Sequence, residues 1–500
     1  MIRDWSHAKG QTELKTDVVI VGGGPGGAAV ARVLSQAGVG VVLVEEGPAQ
    51  PNFRPNMAHT QRFHMQEGGA IIARSRSGAL MPIAAGRGVG GGSLINSAIC
   101  WRTPDHVLDD WIPLLDGDDR FSPSHMAPVF DEIEAIIGVS ETPERIAGEN
   151  NKLIVRGATA LGLPCGLLKR NTPTCSGCGL CNYGCPVGGK ASVDRNLVPM
   201  AVAAGAIVQA DSRVDSILTH GGRASGIRAR VLHPQTREEV GQLTVTAGRV
   251  VICCGGIGTP RLLHASGLAD RLGPAVGKGL HVHPGNAVLG LCDEPVHMWK
   301  GATQGAWFED PELPGVLPHS MSGPPGVILL TLGKTGLAAK ASITEDLPRV
   351  CGALVMVSDK GDGTVGARSD GRADVTYSFA DEDVERIKKG MFTAARVLVA
   401  GGAKSLFCPV AGVGIHNSPQ SLRGSLQDKT IADFGLYAAH PMATCRMGAD
   451  PEKSVVAATA EAHGLPGLFI ADSSVFPTSL GVNPQVTTMT MATMIARSML

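Results

Sequence analysis

Near its N-terminus the chain carries an unbroken β-branched run, Val18 to Val21, that stops at glycine. Such a short apolar run reads as a buried strand. Gly22, Gly24 and Gly27 follow in G-x-G-x-x-G spacing, Ala28 to Ala37 can form a helix, and Val41 to Val44 is a second strand ending at Glu45. Strand, glycine turn, helix and strand predict a dinucleotide-binding βαβ unit. Its glycines let the backbone approach a pyrophosphate, its helix N-terminus offers free N–H groups, and its acidic residue accepts from a ribose hydroxyl. The motif does not separate NAD from FAD.

The same alternation returns in "GRVVICCGGIGTPRLLHASGL", from Val250 to Leu268. Between about 285 and 380, short apolar stretches such as Val327–Leu332 and Ala353–Val357 alternate with turn residues and predict an antiparallel sheet. Val384, Ile387, Met391, Ala394 and Leu398 recur at helical spacing, which predicts a helix packed on that sheet. The last sixty or so residues return to strand and helix. "GRGVGGGSLINSAICWRTP", Gly86 to Pro104, is too glycine-rich for a regular element and reads as a loop whose amides sit close to a ligand.

Length and composition narrow the class. A chain of 500 residues with 43% hydrophobic and 18% charged residues has material for two or three domains. A net charge of −1 gives no footprint for nucleic acid and no polybasic membrane patch. No apolar run is long enough to span a bilayer, and no signal-peptide core precedes the first strand, so a cytoplasmic protein is expected. In that compartment twelve cysteines suggest thiols, metal ligation or redox chemistry.

Four of them stand out. Cys175, Cys178, Cys181 and Cys185, followed by Pro186, have the C-x2-C-x2-C-x3-C-P spacing of bacterial ferredoxins. An iron–sulfur cluster, of the 4Fe-4S or 3Fe-4S type, is the leading expectation. Unmetallated thiols or a disulfide, and a zinc site, remain open beside it. His281 and His283, in "LHVHPGN", lack an acidic neighbour and read as strand residues. Cys253, Cys254 and Cys445 read as buried thiols.

Four separated stretches resemble the glucose–methanol–choline (GMC) family of flavin oxidoreductases: the glycine motif ending in Glu45, "GRGVGGGSLIN", "GGIGTPRLLHASG", and the tail "HPMATCRMG … GLFIADSSVFPTSLGVNPQVTTMTMATMIA". The resemblance implies an α/β fold with a Rossmann-like FAD-binding domain and an α+β substrate domain built on an antiparallel sheet. It assigns residues 1–150, 195–285 and 435–500 to the FAD domain, 150–195 to a cysteine-rich insertion, and 286–434 to the substrate domain. It implies FAD contacts from Gly22, Gly24, Gly27, Glu45, Gly91, Gly92, Asn96 and Asp472, and a backbone contact to adenine at Val214. Ser93-Leu94-Ile95-Asn96 stands where some members tether FAD through histidine, so FAD is expected to be non-covalent.

Alcohol oxidation needs a base for the hydroxyl proton while hydride leaves the carbon. His440 matches the family's catalytic histidine, and Asn483 its partner that steadies the substrate oxygen. The cysteine run departs from most members. A cluster there would carry electrons singly from the flavin to an electron-acceptor protein, which favours a dehydrogenase. The rivals are an oxygen-using alcohol oxidase with structural cysteines, a redox-silent flavin lyase, and a pure electron-transfer module.

Overall fold

The computed structural model describes residues 1–49, 53–331 and 345–500. Its largest sheet has eight strands. Gly10–Val21 lies at the centre, parallel to Val41–Val44 on one side and to Glu239–Ile252 on the other. Ile207–Gln209 and then Ile2–Arg3 extend one edge in parallel. Leu468–Ile470 pairs in parallel with the end of Glu239–Ile252, while Arg223–Leu232 and Ser212–His220 continue the other edge as an antiparallel meander. Val18 to Val21 and Val41 to Val44 are all buried, as expected of strands covered on both faces.

The first helix runs Pro25–Gln36, starting three residues before the sequence expectation. Proline opens it, where its missing N–H costs no hydrogen bond. The helix sits against the first strand because Gly27 has no side chain: a Cβ there would lie 1.9 Å from the Gly22 carbonyl oxygen. The second glycine turn joins Glu239–Ile252 to the helix Gly255–Ala265.

A second sheet of six strands is antiparallel throughout: Ala403–Phe407, Gly285–Cys292, Val350–Val357, Val316–Ser320, Ala306–Phe308 and Cys165–Leu167. The helix Asp381–Ala400 buries Ile387, Met391, Ala394 and Leu398 in the same core as Val288, Ala353 and Val355. The expected helix is therefore present, and Ala353–Val357 lies in a strand as expected. Val327–Leu332 does not. Pro325–Thr331 is a helix, opened by proline, and Leu332 lies outside the described residues. A short apolar run carries no period that separates strand from helix, and the preceding Pro-Pro favoured the helix start.

The cysteine-rich stretch lies between the helices Glu149–Ala160 and Leu197–Ala203. The helix before it belongs to the second core, where Leu153, Ile154 and Ala158 pack, and Cys165–Leu167 is an edge strand of the antiparallel sheet. No helix among the described residues is long and apolar enough to cross a membrane.

Candidate active site between the two sheets

A cavity of about 780 Å³ opens between the sheets. The first glycine turn floors one end. Gly24 caps the helix with no side-chain hydrogen bond, so the N–H groups of the first turn stay free, as an anion requires. A Cβ on Gly24 would make one ordinary contact, with the Gly91 Cα at 3.7 Å, and one on Gly92 would meet nothing within 4 Å, so both positions have room for a ligand. Gly91 packs directly on Gly24, where a Cβ would lie 2.6 Å from the Gly24 Cα, and Gly90 N–H donates to the Gly23 carbonyl at 2.8 Å. The loop 86–104 thus lies against the dinucleotide turn.

Glu45 is buried and accepts from the backbone N–H groups of Gly23, Gly47 and Gly88 at 2.7 to 2.9 Å. Burial raises its pKa against the pull of these bonds. A carboxylate has about four lone-pair positions, so one remains for a ribose hydroxyl. Gly22, Glu45, Gly91, Asn96, Val214 and Asp472 all line the cavity. Asp472 accepts from Gly255 N–H and the Thr259 hydroxyl on one oxygen and from Ser474 N–H on the other, binding the second glycine turn to the tail. Gly27 does not line it; its part is the close helix–strand packing described above. These residues fit FAD: an open glycine cradle, free N–H groups and an acidic residue at the far end of the strand.

His440 and Asn483 line the same cavity, between that cradle and the antiparallel sheet. The stretch around His440 is stitched on both flanks. Tyr437 exchanges backbone hydrogen bonds with Gly285, and Met442 with His281. Gly256 has no Cβ because one would lie 2.4 Å from the Pro441 carbonyl group, so the second glycine turn presses on the residue after His440. Asn483 precedes the helix Gln485–Ser498, and its amide lies 3.1 Å from His440 Nε2. Burial, with the neighbouring His283 and His319, holds the His440 imidazolium well below its ordinary range, so the ring is neutral at physiological pH.

Three histidines surround this pair that sequence reasoning did not single out for chemistry. His283 Nδ1 is 3.3 Å from His440 Nδ1. It is no strand residue: its φ is +50°, a conformation that few non-glycine residues adopt. His281 Nδ1 lies 3.4 Å from Asp359 Oδ2. His319, on the strand Val316–Ser320, is 2% exposed, lines the cavity, and has no hydrogen-bond partner on either ring nitrogen among the described residues. Burial pushes both His283 and His319 down to about 4. Neither Asp359 nor His319 sits in a recognisable motif; only the fold brings them here.

Cys253 and Cys254 line the cavity, and the four cysteines of the run do not. All twelve in the chain are free. Cys181 and Cys185 are buried, Cys175 is half-buried and Cys178 is exposed. Cys181 Sγ accepts from Arg170 at 3.1 Å, Cys175 Sγ from Gly177 N–H and Cys185 Sγ from Lys190 N–H. Burial opposes ionisation of Cys181, but Arg170 and Lys190 outweigh it and hold the thiol below its usual range. Among the described residues no three His, Cys, Asp or Glu side chains converge as a metal site. This arrangement does not fit the expected cluster. The segment does form cavity wall, through Gly179, Asn182 and Tyr183.

Comparison with known proteins shows the family. Models of the GMC oxidoreductase N- and C-terminal regions match residues 17–285 and 359–492. An uncharacterised GMC-type oxidoreductase of Mycobacterium tuberculosis is 34% identical over 96% of this chain and 75% of its own length. A long-chain-alcohol oxidase of Arabidopsis thaliana is 28% identical over 97% of this chain and 68% of its own. The crystal structure of pyridoxine 4-oxidase from Mesorbium loti superposes with a TM-score of 0.73, at 19% identity over 96% of this chain and 98% of that one. The chain belongs to the GMC oxidoreductases and is an FAD-dependent flavoenzyme.

Proposed function

We propose that this oxidoreductase oxidises a hydrophobic alcohol to the carbonyl, acting as a dehydrogenase. The observation that carries the reading is the His440 Nε2–Asn483 amide pair, 3.1 Å apart and open to the cavity between glycine cradle and antiparallel sheet. FAD, when bound, would supply the acceptor for the hydride of the alcohol carbon. Gly22, Gly24, Glu45, Gly91, Gly92, Asn96, Val214 and Asp472 would hold it. His440, kept neutral by its surroundings, takes the hydroxyl proton at Nε2. Asn483 and His319 steady the substrate oxygen as charge develops on it. The cavity lining also carries Met57, Met65, Leu80, Leu354 and Met356, which suits an alkyl chain. A long-chain-alcohol oxidase among the relatives supports that class.

The FAD-binding region is taken as 1–150, 195–285 and 435–500, and the substrate region as 286–434, with 150–195 bridging them. The twelve free thiols support a reducing, cytoplasmic setting. Electrons would leave to an acceptor protein. Passage through an iron–sulfur cluster at Cys175, Cys178, Cys181 and Cys185 is the reading their spacing supports and their observed arrangement does not. That mismatch, with the Arabidopsis relative, favours an oxygen-using alcohol oxidase as the second reading.

Anaerobic addition of straight-chain alcohols, from ethanol to hexadecanol, tests the reaction. Flavin bleaching that improves with chain length supports it; no bleaching by any member rejects it and favours a redox-silent enzyme. Air then separates the two readings: peroxide in step with reoxidation identifies an oxidase, and slow reoxidation without it a dehydrogenase. Iron and sulfide assays on the same preparation decide the cluster. Acid precipitation is expected to release the flavin into solution, and flavin retained in the pellet would show a covalent link.

A further inference from the structure

His283 has hydrogen-bonding neighbours at both ring nitrogens. Its Nδ1 faces His440 Nδ1 at 3.3 Å. Its Nε2 has two neighbours at 3.0 Å, the backbone N–H of Gly481 and the hydroxyl of Ser479. Ser479 in turn donates to Asp359 Oδ1 at 3.0 Å. Asp359 is 3% exposed and also accepts from Val282 N–H, His283 N–H and the Tyr377 hydroxyl at 3.0, 3.2 and 2.6 Å. Burial alone would raise its pKa, but His281, His283 and Tyr377 outweigh that and hold the carboxyl well below its usual range. One buried carboxylate thus stands behind His281, His283 and His440.

A neutral imidazole has one donor and one acceptor nitrogen. If Gly481 N–H donates to His283 Nε2, then His283 carries its proton on Nδ1 and offers it to His440. His440 then accepts at Nδ1 and carries a proton at Nε2, toward Asn483 and the cavity. If instead His283 Nε2–H donates to Ser479, His283 Nδ1 accepts from His440 Nδ1–H. That leaves His440 Nε2 bare and able to act as a base. The Gly481 N–H suits only the first tautomer, and the second gives up that bond for the Ser479 hydroxyl, so the choice between them sets the state of His440.

We propose that His283, backed by Ser479 and Asp359, is a positioning residue that sets the tautomer of His440 and relays the alcohol's proton from it. In the relay, the hydroxyl O–H bond breaks as an N–H bond forms at His440 Nε2. The Nδ1–H bond of His440 breaks as one forms at His283 Nδ1. The charge ends one ring further from the substrate, with His283 Nε2–H on Ser479 and the Ser479 hydroxyl on ionised Asp359. No electrons travel this path; the pair leaves the alcohol carbon with hydride, to the flavin. His281, beside Asp359 and only half-buried, lies at the outer end of the chain of contacts.

The proposal rests on the alcohol-oxidation reading, and the test keeps the two apart. His283→Asn is the first variant, because asparagine tolerates the positive φ at this position and cannot carry the proton. Ser479→Ala is the second, since it leaves the imidazole and removes its acceptor. With 1-octanol as substrate and FAD content matched, both should slow anaerobic flavin reduction by about tenfold or more. The acid limb of the pH–rate profile should move toward neutral pH in His283→Asn, where a group that holds the His440 value down is gone, and away from neutral pH in Ser479→Ala, where protonated His283 loses its acceptor. Selective histidine NMR reads the same coupling without turnover: the His440 titration should shift upward in His283→Asn. Wild-type rate and profile in either variant, a slowed rate with an unmoved profile, or an unmoved His440 titration would overturn the relay. If His283→Asn fails to fold, Ser479→Ala decides. Wild-type enzyme that 1-octanol does not reduce would count against the alcohol reading, and the NMR titration would still decide the coupling.

Discussion

The ammonium of Lys190 donates to the carbonyl of Asn96 at 2.9 Å. The side chain is 1% exposed and also holds the carbonyls of Leu94 and Cys181, at 2.8 and 3.1 Å. Burial pushes its pKa down to about 8. One buried cation therefore ties the cysteine segment to the loop that lines the flavin side of the cavity. Asn182 adds a second tie, donating to the Ile95 carbonyl at 3.2 Å. The segment 175–190 is part of the cavity wall, through Gly179, Asn182 and Tyr183, whether or not its thiols hold a metal.

Replacing Lys190 by Met keeps the stem and removes all three hydrogen bonds. Each orphaned buried carbonyl costs about 1 kcal/mol or more, so the variant should lose about 3 kcal/mol of stability. FAD should also leave it more readily, because Leu94 and Asn96 lose their anchor. Urea denaturation and the rise of free-flavin fluorescence on dilution measure the two effects. Wild-type values for both would show that the loop is held by other contacts.

The glycines of the first turn should divide by what surrounds them. Gly27→Ala places a methyl 1.9 Å from the Gly22 carbonyl oxygen, inside the helix–strand contact, so it should yield little folded protein. Gly24 has ordinary extended φ and ψ and one ordinary contact where its Cβ would go. Gly24→Ala should therefore fold but lose FAD, since the methyl fills the cradle. Circular dichroism and flavin content on purified protein separate these outcomes. A flavin-loaded Gly24→Ala would place the pyrophosphate elsewhere.

The buried histidines make stability fall on mild acidification. His283 and His319 hold pKa values near 4, against about 6.5 when unfolded. Between those limits the unfolded chain binds more protons than the folded one, so stability rises with pH across the window and is lost as pH drops below about 6.5. Each ring contributes on the order of 3 kcal/mol at most. Denaturation midpoints should be flat just above neutrality and drop steadily toward pH 4. His319→Leu should make that drop shallower; an equally steep drop would mean His319 takes up its proton in the fold.

Much of the fold could be read from the chain, for physical reasons visible in particular residues. Val18–Val21, the glycine turn and Val41–Val44 are contiguous, so local pattern and final structure agree. The run at 327 misled because a short apolar stretch has no decisive period. His440 and Asn483 were found by motif, and the fold places them 3.1 Å apart across 43 residues of sequence. Asp359 and His319 carry no local signal, and Ser479 lies in the tail stretch with nothing in its spacing to mark it for chemistry. Asp359 reaches His283 across 76 residues and Ser479 across 120, and separations of that kind are set by tertiary packing alone. The cysteine spacing was the strongest local pattern in the chain, yet spacing along a loop does not dictate that four sulfurs converge.

The central claim is that His440 accepts the alcohol's proton. Anaerobic stopped-flow reduction of the flavin by 1-octanol, in wild-type and His440→Ala enzyme of equal FAD content, tests it most directly. The variant should keep its flavin and be reduced about 10²- to 10⁴-fold more slowly, the usual worth of a positioned base. Reduction of His440→Ala at a near wild-type rate would remove His440 from the chemistry and contradict the account.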